Sequence, residues 1–155
     1  KVGSSHAMIV CDQYEIYSRL VEGRYPNYNS VMPKNNDKIV KVETNSLVGA
    51  ITRVSAFASK STSLLVLDIA LGAITVTATD TDFSTNAEET IPCDAMSAPI
   101  KIGVKYSILL DVLSHIDTER CVISFSGPST ALTVVPEEHT QPALTYLVMP
   151  MTLNN

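Results

Sequence analysis

One strand, one helix and three strands, followed by the same order again, is the pattern that most restricts how this chain can fold. Residues 38–42 read as a short strand, and across 45–58 Leu47, Val48, Ile51, Val54 and Ala58 recur at helical spacing, with Thr44 or Asn45 placed to cap. The apolar stretch 63–70, a turn allowed by Gly72, the alternating stretch 73–79 and the more polar stretch 83–91 give three strands. The order then returns. A strand at 99–104 leads into a helix at 106–116 with Ile108, Leu109, Val112 and Ile116 on one face, and strands follow at 121–126, 131–135 and 143–149. An offset of about 60 residues between the helix starts is the sign of an internal duplication. The expected fold class is α+β, a duplicated β-α-β-β-β unit whose two helices cover one face of a continuous antiparallel sheet.

Ahead of that unit, residues 7–20 carry Ile9, Val10, Tyr14, Ile16, Tyr17 and Leu20 in partial alternation, which predicts a hairpin turning near 11–13. A two-stranded hairpin does not stand alone. Gly23, Pro26, Asn27, Asn29 and Pro33 then make 22–33 a linker, dividing the chain into 1–33 and 34–155. With 45% hydrophobic and 17% charged residues, the chain can bury a core. Its longest apolar runs, such as 64–67, fall far short of the ~20 residues that cross a bilayer, and no basic stretch followed by an apolar one opens it. A cytoplasmic protein is expected. The Gly3-Ser4-Ser5-His6 run and the lack of an initiator Met suggest a piece of a longer chain.

Eleven Lys and Arg against sixteen Asp and Glu give a net charge of −5, which argues against wrapping nucleic acid with the whole surface. A local basic face remains open. On the first helix Ser46, Gly49, Arg53, Ala56 and Lys60 form a small, polar, basic face with no acid, fit either to let a polyanion pass on few contacts or simply to meet solvent. Cys11, Cys93 and Cys121 have neither zinc nor disulfide spacing and are expected to be buried or half-buried thiols.

Catalytic constellations are thin. Asp68, Asp80 and Asp82 are the one set that would suit a metal-dependent small phosphoesterase or nuclease, against which stands the ordinary habit of Asp in a turn such as 79–82. His115 follows Asp111 at helical spacing, but no nucleophile elbow accompanies it, and His6, His115 and His139 are expected at the surface. No glycine-rich phosphate loop is present, and no cofactor is expected. The closing run Leu147, Val148, Met149, Pro150, Met151 and Leu153 stands out instead. Pro150 stops a ladder there, leaving adaptable Met side chains either to receive varied apolar peptides or to finish the core.

Glu22-Gly23-Arg24-Tyr25-Pro26-Asn27-Tyr28, running on to Val31-Met32-Pro33, together with Tyr146-Leu147-Val148-Met149-Pro150-Met151, closely resembles the bacterial DNA polymerase III β subunit family, the replicative sliding clamps. The resemblance implies that 1–33 is the end of a middle domain plus its linker and that 34–155 is a third domain. It further implies a homodimeric ring around double-stranded DNA, helices inward, which does no bond chemistry and tethers polymerase by topology. The implied partners are the DNA polymerase III α subunit, the clamp loader and other proteins bearing a short peptide with a Gln and two apolar anchors. By position, that peptide's groove takes Pro26, Val31, Ile108, Ala131, Leu147, Met149, Pro150 and Met151. Ser30 and Thr152 stand where Arg is common in the family, and Lys105 where Asn is common, so the rim contacts should differ. Arg53 and Lys60 map to the DNA-facing side, and Ala56, Phe57, Glu88 and Glu89 to the subunit interface.

Overall fold

The computed structural model describes residues 1–95, 99–138 and 143–153, so His139 lies outside the described residues. The chain divides into two compact units, Lys1–Val31 and Met32–Asn155. In the first, β1 (His6–Cys11) pairs antiparallel with β2 (Tyr14–Arg19), Ile9 opposite Ile16 and Cys11 opposite Tyr14, which leaves Asp12 and Gln13 as the turn. Ile9, Val10, Tyr14, Ile16 and Tyr17 are all exposed on it. Cys11 is exposed as well, because both faces of the hairpin are open, whereas Cys93 and Cys121 are buried as expected. The linker region contains one short 3-10 turn, Tyr28–Ser30, capped by the Asn27 carboxamide oxygen, which accepts from the Asn29 N–H at 3.2 Å.

The second unit runs β3 (Lys38–Glu43), α1 (Thr44–Ser55), β4 (Leu64–Ala70), β5 (Ala73–Asp80), β6 (Thr85–Pro92), β7 (Asp94–Ala95), β8 (Ile100–Lys105), α2 (Tyr106–Leu113), β9 (Arg120–Phe125), β10 (Leu132–Pro136) and β11 (Tyr146–Val148). The duplicated order is present, but the strands form two sheets, ordered β11-β10-β9-β3-β7 and β6-β5-β4-β8, in place of the expected continuous one. A strand that runs directly into a helix cannot fold back as a hairpin, so its antiparallel neighbour must come from elsewhere. Each repeat's opening strand therefore pairs with the other repeat: Val40 of β3 lies opposite Ile123 of β9, and Ile102 of β8 opposite Leu67 of β4. The end of each repeat then returns to its own opening strand. Ala95 of β7 pairs with Val40, and Met151 bridges Gly103 of β8.

Alternate residues of the strands, such as Leu65, Leu67 and Ile69 of β4 and Ile74 and Val76 of β5, fill the core with Leu47, Ile51 and Val54 of α1 and Leu109, Val112 and Leu113 of α2. On α2 the buried stripe is Leu109, Val112 and Leu113, an i, i+3, i+4 set; the helix ends at Leu113, three residues before the expected end, and Ile116 is buried just beyond it. Ile108 sits one residue off that stripe and turns outward, 48% exposed, contrary to the core face expected for it.

The helix starts differ between the repeats. Glu43, not Thr44 or Asn45, caps α1: its carboxylate accepts from the N–H groups of Asn45 at 3.1 Å and Ser46 at 2.7 Å. The Ser46 side chain first, and then these two N–H bonds, hold the Glu43 carboxyl below its usual range. Thr44 is displaced inward because the helix starts one residue early, and its hydroxyl donates to the Thr118 carbonyl at 3.0 Å. At the matching position of α2, Lys105 makes no side-chain cap bond. Lysine has no acceptor to offer, and its charge faces the positive end of the helix. Lys105→Asn is expected to raise stability by about 1 kcal/mol, read as a Tm rise of roughly 3–5 °C. An unchanged Tm would mean that the first-turn amides of α2 already have partners.

Candidate functional site

The carboxyl-terminal tail links the edges of the two sheets. In the β10–β11 ladder Leu132 lies opposite Val148 and Thr133 opposite Leu147. Strand alternation sends Leu132 and Val148 into the core, Val148 only 1% exposed, and turns Leu147 and Thr133 to the other face, both half-buried. One step further along the same register come Ala131, half-buried, and Met149, 65% exposed. Pro150 lacks a backbone N–H and ends the ladder. The Met151 N–H then donates to the Gly103 carbonyl at 2.8 Å, seating the tail on the free edge of β8. That approach needs glycine. A Cβ at Gly103 would stand 2.7 Å from the Met151 carbonyl oxygen and 2.8 Å from Leu153 Cδ2.

The tail is thus seated on β8 three residues before the start of α2, the helix that carries outward-facing Ile108. Within the second unit, Ala131, Leu147, Met149, Pro150 and Met151 thus form one lip beside the β8–α2 junction. The Tyr146 hydroxyl donates to the His115 carbonyl at 3.3 Å, tying the start of β11 to the exit of α2. His115 Nδ1 donates to the backbone carbonyl of Asp111 at 2.7 Å, so the ring is held by the helix end rather than by a carboxylate. Pro26 and Val31 belong to the first unit, where both are exposed. Sequence reasoning passed over Gly103 and Thr133. An isolated glycine inside an apolar strand does signal a close backbone approach, and Gly103 fits that rule.

Arg53 projects from α1 and is exposed, as expected, but it is not alone. Its Nη2 lies 2.6 Å from Glu89 Oε1 and its Nε 2.9 Å from Glu89 Oε2, a bidentate pair. Each partner holds the other in its charged form, the guanidinium raised and the carboxyl lowered by their hydrogen bonds. Gly49, one turn earlier, leaves the room: a Cβ there would lie 3.1 Å from Arg53 Nη1. The α1 face has no acid of its own, and β6 supplies one. Alternation along β6 turns Glu89 to the helix side and Glu88 to the other face, opposite Thr77. Lys60, Ala56 and Phe57 meet in a different place, lining a depression of about 400 Å³ with Asp80, Phe83 and Thr85. Phe57 and Phe83 are both exposed at it, and Phe83 was not foreseen.

The three acids of the phosphoesterase reading are not a cluster. Asp68 stands half-buried on β4 and pairs with Lys101 Nζ at 3.3 Å across the ladder to β8. Asp80 is buried at the end of β5, its Oδ1 accepting from the N–H groups of Asp82 at 3.0 Å and Phe83 at 3.3 Å, which closes the turn. Asp68 lies opposite Thr75, five residues of strand away from Asp80, a separation of roughly 17 Å. Among the described residues, no three His, Cys, Asp or Glu side chains are grouped to hold a metal ion. Burial pushes the Cys121 thiol up to about 11, far from a nucleophile's range.

Residues 29–152 match the family described as DNA polymerase III beta subunit, C-terminal domain. The beta sliding clamp of Pseudomonas putida is 31% identical over 154 residues, 98% of this chain and 41% of that protein. That of Escherichia coli K12 is 26% identical over 153 residues, 99% of this chain and 41% of its own length. The crystal structure of the DNA polymerase III subunit beta from Pseudomonas aeruginosa superposes with a TM-score of 0.91 at 28% identity, covering 98% of this chain and 41% of that one. A sliding clamp from the same organism bound to griselimycin gives a TM-score of 0.90 at 27% identity, with 98% and 40% coverage. The chain therefore spans about two fifths of the length of these relatives. The matched stretch takes in both repeats and the seated tail, and the chain belongs to the DNA polymerase III beta subunit family, whose C-terminal domain it carries.

Proposed function

We propose that this chain serves in a sliding clamp, a non-catalytic processivity subunit that encircles double-stranded DNA in the cytoplasm and docks replication proteins by a short peptide. Residues 1–33 are the end of its middle domain with the linker, and 34–155 are its third domain. The observation that carries this reading is the lip. Val148 and Gly103 fix the tail from below while Leu147, Met149 and Met151 are left partly free above, an adaptable apolar surface on a rigid base. Ala131, Pro150 and Ile108 complete that side of the groove, and Pro26 and Val31 are assigned to it by the family resemblance. Its ligands are the DNA polymerase III α subunit, the clamp loader and other proteins with the clamp-binding peptide.

The remaining assignments follow the same plan. Arg53 and Lys60 face DNA, Arg53 with its charge already shared with Glu89, so the chain holds phosphates weakly and lets them pass. Ala56, Phe57, Glu88 and Glu89 meet the second subunit of a homodimer, and the exposed Phe57 and Phe83 at one depression give that contact its apolar part. No helix among the described residues is long and apolar enough to cross a membrane.

The test is direct. A fluorescent peptide with a Gln and two apolar anchors is titrated with the chain and with its Leu147→Ala and Met151→Ala variants. Wild type is expected to bind, and each substitution to weaken binding by about tenfold, as loss of an apolar anchor contact does. Unchanged affinity in both variants, or no binding by wild type, would overturn the reading.

A further inference from the structure

Ala131 stands in the lip without a ladder partner of its own. Thr133 is the first β10 residue paired to β9 and Leu132 the first paired to β11, so Ala131 lies outside both ladders. Its carbonyl is instead held by a side chain from far away in sequence. Asn36 Nδ2 donates to the Ala131 carbonyl at 3.1 Å and to the Ser124 carbonyl at 2.9 Å. Ser124 closes the β9–β10 ladder as the partner of Thr133, and Ala131 lies two residues before Thr133, in the connection that the ladder leaves unpaired. One amide nitrogen thus stands in for the missing rung. The other end of the same group shows what this costs: among the described residues, Asn36 Oδ1 is buried without a hydrogen-bond partner. An orphaned buried acceptor is unfavourable, so a side chain kept in that state is kept for its donors.

We propose that Asn36 is a positioning residue of the partner-binding lip: it fixes the Ala131 carbonyl, and with it the wall that stands beside Met149. The proposal rests on the peptide-docking reading above. Asn36 does not touch the peptide, since its free acceptor is buried. It acts by holding Ala131 where a peptide anchor can pack against it, in the way that supporting hydrogen bonds hold the residues that make contact in a binding site.

Peptide titration of Asn36→Ala against Thr44→Val tests it. Thr44→Val removes another part-buried bond from a side chain to a backbone carbonyl, that to Thr118, in the same unit but away from the lip. Asn36→Ala is expected to weaken peptide binding by about three- to tenfold, the loss of roughly one hydrogen bond's worth of positioning. Thr44→Val is expected to lower the urea midpoint at least as much and to leave affinity within about twofold. Asn36→Ser, which keeps a single short donor, serves if the alanine variant does not fold, and is expected to fall between the two. Wild-type affinity in Asn36→Ala, or an equal loss in Thr44→Val, overturns the proposal while the lip stands. Absence of binding by wild type overturns both.

Discussion

Gly103→Val is expected to lift the tail off β8, to cost about 2–3 kcal/mol of stability and to abolish peptide binding together. The reason is steric and local. A Cβ at this position would enter within 2.7 Å of a backbone oxygen, that of Met151, with Leu64 Cδ1 at 3.1 Å on another side. Backbone cannot swing aside as a side-chain tip can, and valine adds two further methyl groups beyond the Cβ. The strand cannot yield either, because Gly103 is paired with Val66 inside the four-stranded sheet. The tail is the element free to move, and its departure breaks the Met151 N–H bond to Gly103 and displaces Met149, Pro150 and Met151 from the lip. Hydrogen exchange at the Met151 amide reads this directly, slow in wild type and fast in the variant. Gly103→Ala should give the same effects in smaller measure. A valine variant with a protected Met151 amide and wild-type peptide affinity would show that the tail does not depend on the β8 edge.

The elements themselves were legible because each is long enough for its own period to show. The α1 stripe of Leu47, Ile51 and Val54 and the alternation of β5 appear as expected, although α1 ends at Ser55, three residues before the expected end. Pairing was not legible. Nothing in a strand's own residues says that β3 will join β9 rather than its neighbour in sequence, since the choice is made by the helices that intervene. β7 is two residues long and has no period to read. The Arg53 face illustrates the same limit at the level of charge: a helical wheel contains only the helix, and Glu89 arrives from a strand. At the lip, the exposed Met149 and the ladder-ending Pro150 could be read in place, because proline and strand alternation act on adjacent residues. Asn36 could not, since its two acceptors lie 88 and 95 positions away. Ile108 was assigned at once to the core stripe and to the groove, and the one-residue rotation of the buried stripe resolves the conflict in favour of the outer position.

Exchange of opening strands makes the second expected result an all-or-none one: residues 32–95 and 99–153, prepared as separate chains, should each fail to fold, and together should recover the native fold. In the first piece β3 keeps only its short pairing with β7 and loses β9, while β4 loses β8. In the second, β8 loses β4 and β9 loses β3, leaving the β9–β10–β11 meander and the single bridge from Met151 to Gly103. The apolar faces of α1 and α2, which line one shared core, would each be left half covered. Ionic ties follow the same crossing pattern. Lys41 of the first repeat pairs with Glu137 of the second at 2.8 Å, and Arg120 of the second donates to Asp94 of the first. A repeat in isolation therefore gives up both of the six-pair ladders that join it to the other, and half a core of this size does not offset the chain entropy of ordering it. Thermal melts by far-UV circular dichroism and amide spectra of each piece, then of an equimolar mixture, separate the outcomes. Broad, non-cooperative melts alone with a sharp transition on mixing are expected. A cooperative melt from 32–95 by itself would show that pairing within one repeat is enough to hold the fold.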